Sequence, residues 1–145
     1  NASFPDLPFA EQFSEMKLLE RRKVFLSEAV TARVAKRIIG DLLALDADKP
    51  GEPITLYINS PGGEVNSGYA IFDTIRFIKS PVTIVNAGLC ASIATVINVA
   101  AKKERRFSMP NAKFSYRPSS PAPARKKKGQ SSIALAFFYL GNLIY

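Results

Sequence analysis

Asn59-Ser60-Pro61-Gly62-Gly63 is followed, twenty-five positions on, by Gly88-Leu89-Cys90-Ala91-Ser92-Ile93. Each stretch reads as a strand that runs into a tight turn and then a helix. Before the first lies Ile54 to Ile58, a strand of buried type. After it, Glu64 to Ile78 has helical spacing through Val65, Tyr69, Phe72, Ile75 and Phe77. Glu64 stands where a negative charge favours the positive start of a helix. Pro81 opens the next strand, Val82 to Val85. Ser92 to Ala101 is almost wholly apolar, which predicts a helix buried on all sides.

Further out, Val24-Phe25-Leu26 is a short strand-type run. Thr31 to Leu45 places Val34, Ala35, Ile38, Ile39, Leu42 and Leu43 on one helical face, and Asp46 to Pro53 is a loop punctuated by Lys49-Pro50-Gly51. Arg106-Phe107-Ser108 and Lys113-Phe114 form short strands around the turn Pro110-Asn111. Asn1 to about Glu15 shows no clear periodicity. Strands alternating with helices of about 10–15 residues predict an α/β fold with right-handed βαβ crossovers and a mainly parallel sheet. Ligands in such folds bind beyond the carboxyl ends of the strands, where both corners sit.

Composition narrows the function. The 145 residues carry no histidine and one cysteine. That excludes an internal disulfide and argues against a zinc or other soft-metal site. No apolar run reaches a membrane-spanning length of about 18 residues, and no signal peptide is visible. The net charge of +8 is concentrated at one end. Residues 1–101 hold ten Lys+Arg and eleven Asp+Glu, a net of −1, whereas residues 102–145 hold ten and one, a net of +9. No aromatic side chain is interleaved with Arg125-Lys126-Lys127-Lys128, so the run reads as a solvated basic stretch and not as a nucleic-acid site.

The two corners carry the chemistry. A serine just before an apolar helix is an N-cap on one reading. On the other it is a nucleophile, because Gly88, Ala91 and Ala94 leave room for a substrate backbone and the N–H of Ile93 points toward an oxyanion. Gly62 and Gly63 permit φ > 0 and expose N–H groups, so Gly63 is a second candidate donor. The alternative there is an ordinary turn; a phosphate loop would need a lysine. A serine nucleophile needs a base. Lys102 and Lys103 lie in a charged run, not in a desolvated site. Cys90, without a basic partner, reads as a small core residue.

From Leu18-Leu19-Glu20-Arg21-Arg22 through Asn111 the chain resembles the proteolytic subunits of the Clp protease. Leu56-Tyr57-Ile58-Asn59-Ser60-Pro61-Gly62-Gly63, Ala70-Ile71-Phe72-Asp73-Thr74-Ile75, Phe77-Ile78-Lys79, Gly88…Ala91-Ser92 and Arg106-Phe107-Ser108-Met109-Pro110-Asn111 fall in that family's order and spacing. The resemblance implies a crotonase-like α/β fold of repeated ββα units and serine endopeptidase action on unfolded polypeptides. It implies heptameric rings, homo- or hetero-oligomeric and stacked in pairs around a chamber, with an AAA+ Clp ATPase unfoldase as partner. It places Ser92 on the nucleophile, Gly63 and Ile93 on the oxyanion-hole positions, and Gly62, Glu64 and Val65 on the substrate-binding edge. No cofactor, metal, nucleic acid or membrane is expected as a partner, and the single cysteine fits a cytoplasmic setting, with an organelle stroma or matrix as the alternative.

There are departures from the family's pattern. The serine corner of the family usually reads Gly-Gln-Ala-Ala-Ser-Met; Leu89, Cys90 and Ile93 differ here. Six residues after Asn111, where the family has its catalytic histidine, stands Arg117, which cannot act as a general base. The family's aspartate falls beyond Tyr145. The reading therefore divides the chain into a lead-in over 1–17, an incomplete α/β domain over 18–116 and a divergent tail over 117–145. That tail is Pro-rich, then basic, then apolar from Ile133 to Tyr145, and the expectation is a frame-shifted or alternatively encoded segment from about Ser115. The chain alone is expected to be catalytically incompetent. Rival expectations are a non-catalytic subunit of a mixed ring, a defective truncated product, and an acyl-CoA enzyme of the wider crotonase-like fold.

Overall fold

The computed structural model describes residues 7–116. Three parallel strands form the centre: β1 (Lys23–Leu26), β2 (Ile54–Ser60) and β3 (Val82–Ala91). β2 pairs with both neighbours, and two short strands, β4 (Arg106–Ser108) and β5 (Lys113–Ser115), pair in succession with the far edge of β3. All pairings are parallel. Helices α2 (Ala32–Asp48), α3 (Val65–Phe77) and α4 (Ile93–Val99) make the crossovers. Strand order follows chain order, so successive right-handed crossovers put these helices on one face of the sheet. The expected α/β fold with a mainly parallel sheet is present.

The strands alternate buried and half-exposed residues, so the core lies between that face and the helices. Leu26, Ile54, Leu56, Ile58 and Ile84 are sealed against Ile38 and Leu42 of α2, Ile71 of α3 and Ile97 of α4. The opposite face is half covered, and Phe25 and Tyr57 stack on it at a centroid distance of 4.9 Å. α2 starts where the sequence places it, because Thr31 takes the N-cap and its hydroxyl accepts the Val34 N–H at 3.2 Å.

Three helix readings change. Leu7–Glu20 forms a helix, α1, where the chain lacks periodicity. Its apolar residues are spread around the helix, Leu19 reaching the core while Phe13 and Met16 stay exposed, so no amphipathic stripe was there to detect. On α2, Leu45 rather than Leu43 is buried. On α3, Gly68, Ile71 and Ile75 face inward, and Val65, Tyr69 and Phe77 are exposed. α3 is apolar on two sides, and on the buried one Ile93 approaches Gly68 so closely that a Cβ would clash with the isoleucine side chain. Among the described residues no helix is long and apolar enough to cross a membrane. The Pro-rich, basic and apolar readings over 117–145, Arg117 included, lie outside the described residues.

Candidate active site

The two corners meet. β2 ends at Ser60, and Pro61-Gly62-Gly63 turns the chain into α3; β3 ends at Ala91, and Ser92 turns it into α4. Gly62 is buried against Ala91 and Ser92. A Cβ added to it would stand 2.7 Å from the Ala91 carbonyl oxygen, 2.7 Å from Ser92 Cβ and 3.2 Å from the Ile93 nitrogen. Its φ of 91° belongs to the left-handed region. Only glycine fits both requirements.

Ser92 adopts φ 53° and ψ −127°, a conformation rare for a residue with a side chain. It occupies the N-cap position of α4, yet its hydroxyl makes no capping hydrogen bond. The capping reading of Ser92 therefore fails, and the side chain is exposed at the corner. The backbone is held on both sides. The Ser92 N–H donates to the Ser115 carbonyl on β5 at 2.9 Å. The Ser92 carbonyl accepts from the Thr95 N–H at 3.0 Å and from the Thr95 hydroxyl at 2.6 Å.

The candidate oxyanion donors lie on the same rim. Val30, at the end of the β1–α2 connection, bridges Gly63: its N–H donates to the Gly62 carbonyl at 2.9 Å and its carbonyl accepts the Glu64 N–H at 2.8 Å. That bridge leaves the Gly63 N–H outside the ladder. No side chain could occupy Gly63, because a Cβ would collide with the Val30 carbonyl. The Ile93 N–H opens α4, where a helix has no internal acceptor for its first amides. Gly63, Glu64 and Val65 form an exposed run beside Ser92's corner, with Val65 56% exposed. The Glu64 carboxylate accepts the Ser67 hydroxyl at 2.8 Å.

Among the described residues no basic side chain hydrogen-bonds the Ser92 hydroxyl. Lys102 and Lys103 are exposed and begin at the opposite end of α4, about 10 Å along its axis. Cys90 is fully buried in register with Ser60, and burial pushes its thiol up to about 12, so it is neutral and inert, in line with its reading as a core residue. Sequence reasoning assigned no role to Asn59, Asn86, Thr95 or Ser115, all of which bond to this corner. The one signal was Asn86, an amide inside an otherwise apolar strand.

Comparison with known proteins agrees with the fold. The family model "Clp protease" matches residues 10–128, a range that runs past Asn111, where the sequence motifs stop. The ATP-dependent Clp protease proteolytic subunit 2 of Treponema denticola is 44% identical over 98 residues, 68% of this chain and 49% of the relative. Subunit 1 of Chlamydia muridarum is 45% identical over 100 residues, 69% and 52%. A solved structure of ClpP1 from Listeria monocytogenes superposes with a TM-score of 0.66 at 39% identity, covering 70% of this chain and 59% of that one. The chain spans about half the length of the curated relatives it matches. With the family model matching most of the chain and a curated relative 44% identical over 68% of it, this chain belongs to the Clp protease family.

Proposed function

We propose that this chain is the acylation half of a Clp-type serine endopeptidase site that acts on unfolded polypeptides. Ser92 is the nucleophile, the N–H groups of Gly63 and Ile93 stabilise the oxyanion, and Gly62, Glu64 and Val65 line the substrate strand. The observation that carries this reading is the Ser92 corner itself. A strained residue whose hydroxyl is spared from capping, pressed against a glycine turn, suits a nucleophile and has no purpose as a cap.

In the reaction, Ser92 Oγ attacks the scissile carbonyl carbon, its proton passes to a base, and the carbonyl oxygen takes the negative charge opposite the two N–H groups. The protonated base gives that proton to the leaving amine as the adduct collapses, which leaves an acyl-serine that water then hydrolyses. A histidine base would have to come from outside these 145 residues, since none of them is a histidine. By itself the chain is therefore inactive, and loss of a triad histidine costs about six decades in rate. The unit over 18–116 serves in a heptameric ring of mixed or single composition, fed by an AAA+ Clp ATPase in the cytoplasm. A non-catalytic subunit role is the second reading, favoured by Arg117 at the expected histidine position.

A fluorophosphonate probe on the purified chain, read by intact mass and peptide map, tests this. The expected result is no label on the chain alone and a label on Ser92, lost in Ser92→Ala, once an intact relative completes the ring. Labelling of the isolated chain overturns the inactivity. Absence of label in a completed ring, with the relative labelled, leaves the structural subunit.

A further inference from the structure

Asn86 is a fully buried amide on an apolar strand, at the point where the pairing of the sheet breaks. β4 pairs with β3 as far as Asn86↔Ser108, and β5 resumes at Leu89↔Lys113. On the other side, β2 advances from Ile58 to Ser60 while β3 advances from Asn86 to Cys90. Against β2, Ala87, Gly88 and Leu89 therefore bulge out of register, and the Gly88 and Leu89 amides turn to side-chain acceptors. Two asparagines supply the deficit. Asn86 Oδ1 accepts the Gly88 N–H at 3.2 Å, and Asn59 Oδ1 accepts the Leu89 N–H at 3.0 Å.

The other end of the Asn86 side chain reaches β5. Its Nδ2 donates to the Lys113 carbonyl at 3.1 Å, and its backbone carbonyl accepts the Met109 N–H at 2.9 Å. Chemistry fixes the orientation of the amide, because an N–H can meet only its oxygen and a carbonyl only its NH2. One residue thus ties the bulge, the end of β4 and the start of β5. β5 needs such a tie: it is three residues long and exposed throughout, with no side chain anchored in the core. Yet its Ser115 carbonyl holds the N–H of Ser92.

We propose that Asn86 is a positioning residue for the serine corner: its carboxamide fixes β5 on β3, and β5 fixes the backbone of Ser92. As a statement about catalysis this rests on the reading of Ser92 as nucleophile. If β5 loosens, the Ser92 N–H loses its acceptor and the strained φ of Ser92 loses one of its two restraints.

Asn86→Asp tests the link with almost no change in volume. A carboxylate keeps the acceptor for Gly88 but sets an oxygen against the Lys113 carbonyl. Hydrogen exchange of the full chain, resolved by peptide, is expected to speed up about tenfold over 89–92 and 113–116 and to stay unchanged over 24–26 and 56–58. Unchanged exchange over 113–116, or a uniform rise across the sheet, overturns the proposal. Asn86→Leu fills the volume with neither bond. If it protects 113–116 and Ser92 as well as asparagine does, packing rather than the carboxamide holds β5, and the proposal falls. Should neither variant fold, the unmutated chain decides. One Asn86 side-chain amide proton is expected to exchange slowly, and rapid exchange of both overturns the link. Fluorophosphonate labelling in a completed ring is measured alongside. Failure to label with the exchange pattern intact sinks the acyl-transfer reading and leaves the attachment of β5 standing, so the two failures are separable.

Discussion

The Gly62 backbone packs against the side chain of Ser92, a Cβ added to Gly62 falling 2.7 Å from the Cβ of Ser92. The glycine turn after β2 and the serine corner after β3 are therefore one object, although thirty residues separate them. Gly62→Ala must strain a left-handed φ and displace the Ser92 corner together. The expected cost is about 1–3 kcal/mol in urea unfolding, with loss of probe reactivity in a completed ring. Gly40→Ala is the contrast. It lies inside α2 with open space around the added methyl, and a gain of about 0.5–1 kcal/mol is expected.

Arg22 knots the ends of α2, β2 and β3. Its own backbone is left-handed at φ 58°, and its guanidinium donates to the carbonyls of Leu45, Lys49, Glu52 and Pro53 and to the Ser80 hydroxyl. A lysine places one ammonium where a planar fork serves five acceptors. Arg22→Lys is expected to cost about 2 kcal/mol by chemical denaturation, with the folded state otherwise intact. A loss under 0.5 kcal/mol, the usual range for an ordinary surface change, would show that water replaces the fork.

Asp46, on the last turn of α2, accepts the Ser80 N–H at 2.7 Å and the Lys79 N–H at 3.3 Å. Hydrogen bonding from the Ser80 side chain first, and then these backbone N–H bonds, hold its carboxyl below the usual carboxylate value. Its contribution is thus present above the unfolded carboxylate pKa of about 3.9 and is lost as pH falls through the lower folded value. Asp46→Asn should flatten the acid limb of the stability curve below about pH 4. An unchanged acid limb would remove Asp46 from the account.

Cys90 is buried, and its thiol stays protonated in the folded chain up to about pH 12. A thiol reagent at neutral pH should leave the native chain unmodified and react fully after unfolding. The unfolded thiol ionises near 8.5, so folding stability should decline as pH rises from there toward the folded value. Fast modification of the native chain would show that this corner opens.

The element order, the parallel sheet and both corners were legible because their signals are local. Pro61-Gly62-Gly63 and Pro81 punctuate strands and helices within a few residues, and Ile54 to Ile58 reads as a strand without help from its partners. α1 was illegible because its apolar residues form no stripe. The faces of α2 and α3 were only partly legible. Leu43, Val65, Tyr69 and Phe77 are as apolar as the residues buried instead, and spacing alone does not choose between two apolar sides.

What the chain's order of residues determined by itself was the kind of corner: two glycines that tolerate φ > 0, and a serine ahead of an apolar helix. Whether that serine caps the helix or stands clear of it depended on contacts across the sheet. Ser92 is turned out by Gly62 beside it, by the Ser115 carbonyl on its N–H and by Thr95 on its carbonyl. The β3 bulge that makes room for this depends on Asn59 and Asn86 meeting amides that regular pairing would have satisfied. Turn chemistry acts over a few residues and can be read along the chain. Register and backbone pairing act between residues distant in sequence, so only the folded chain settles them.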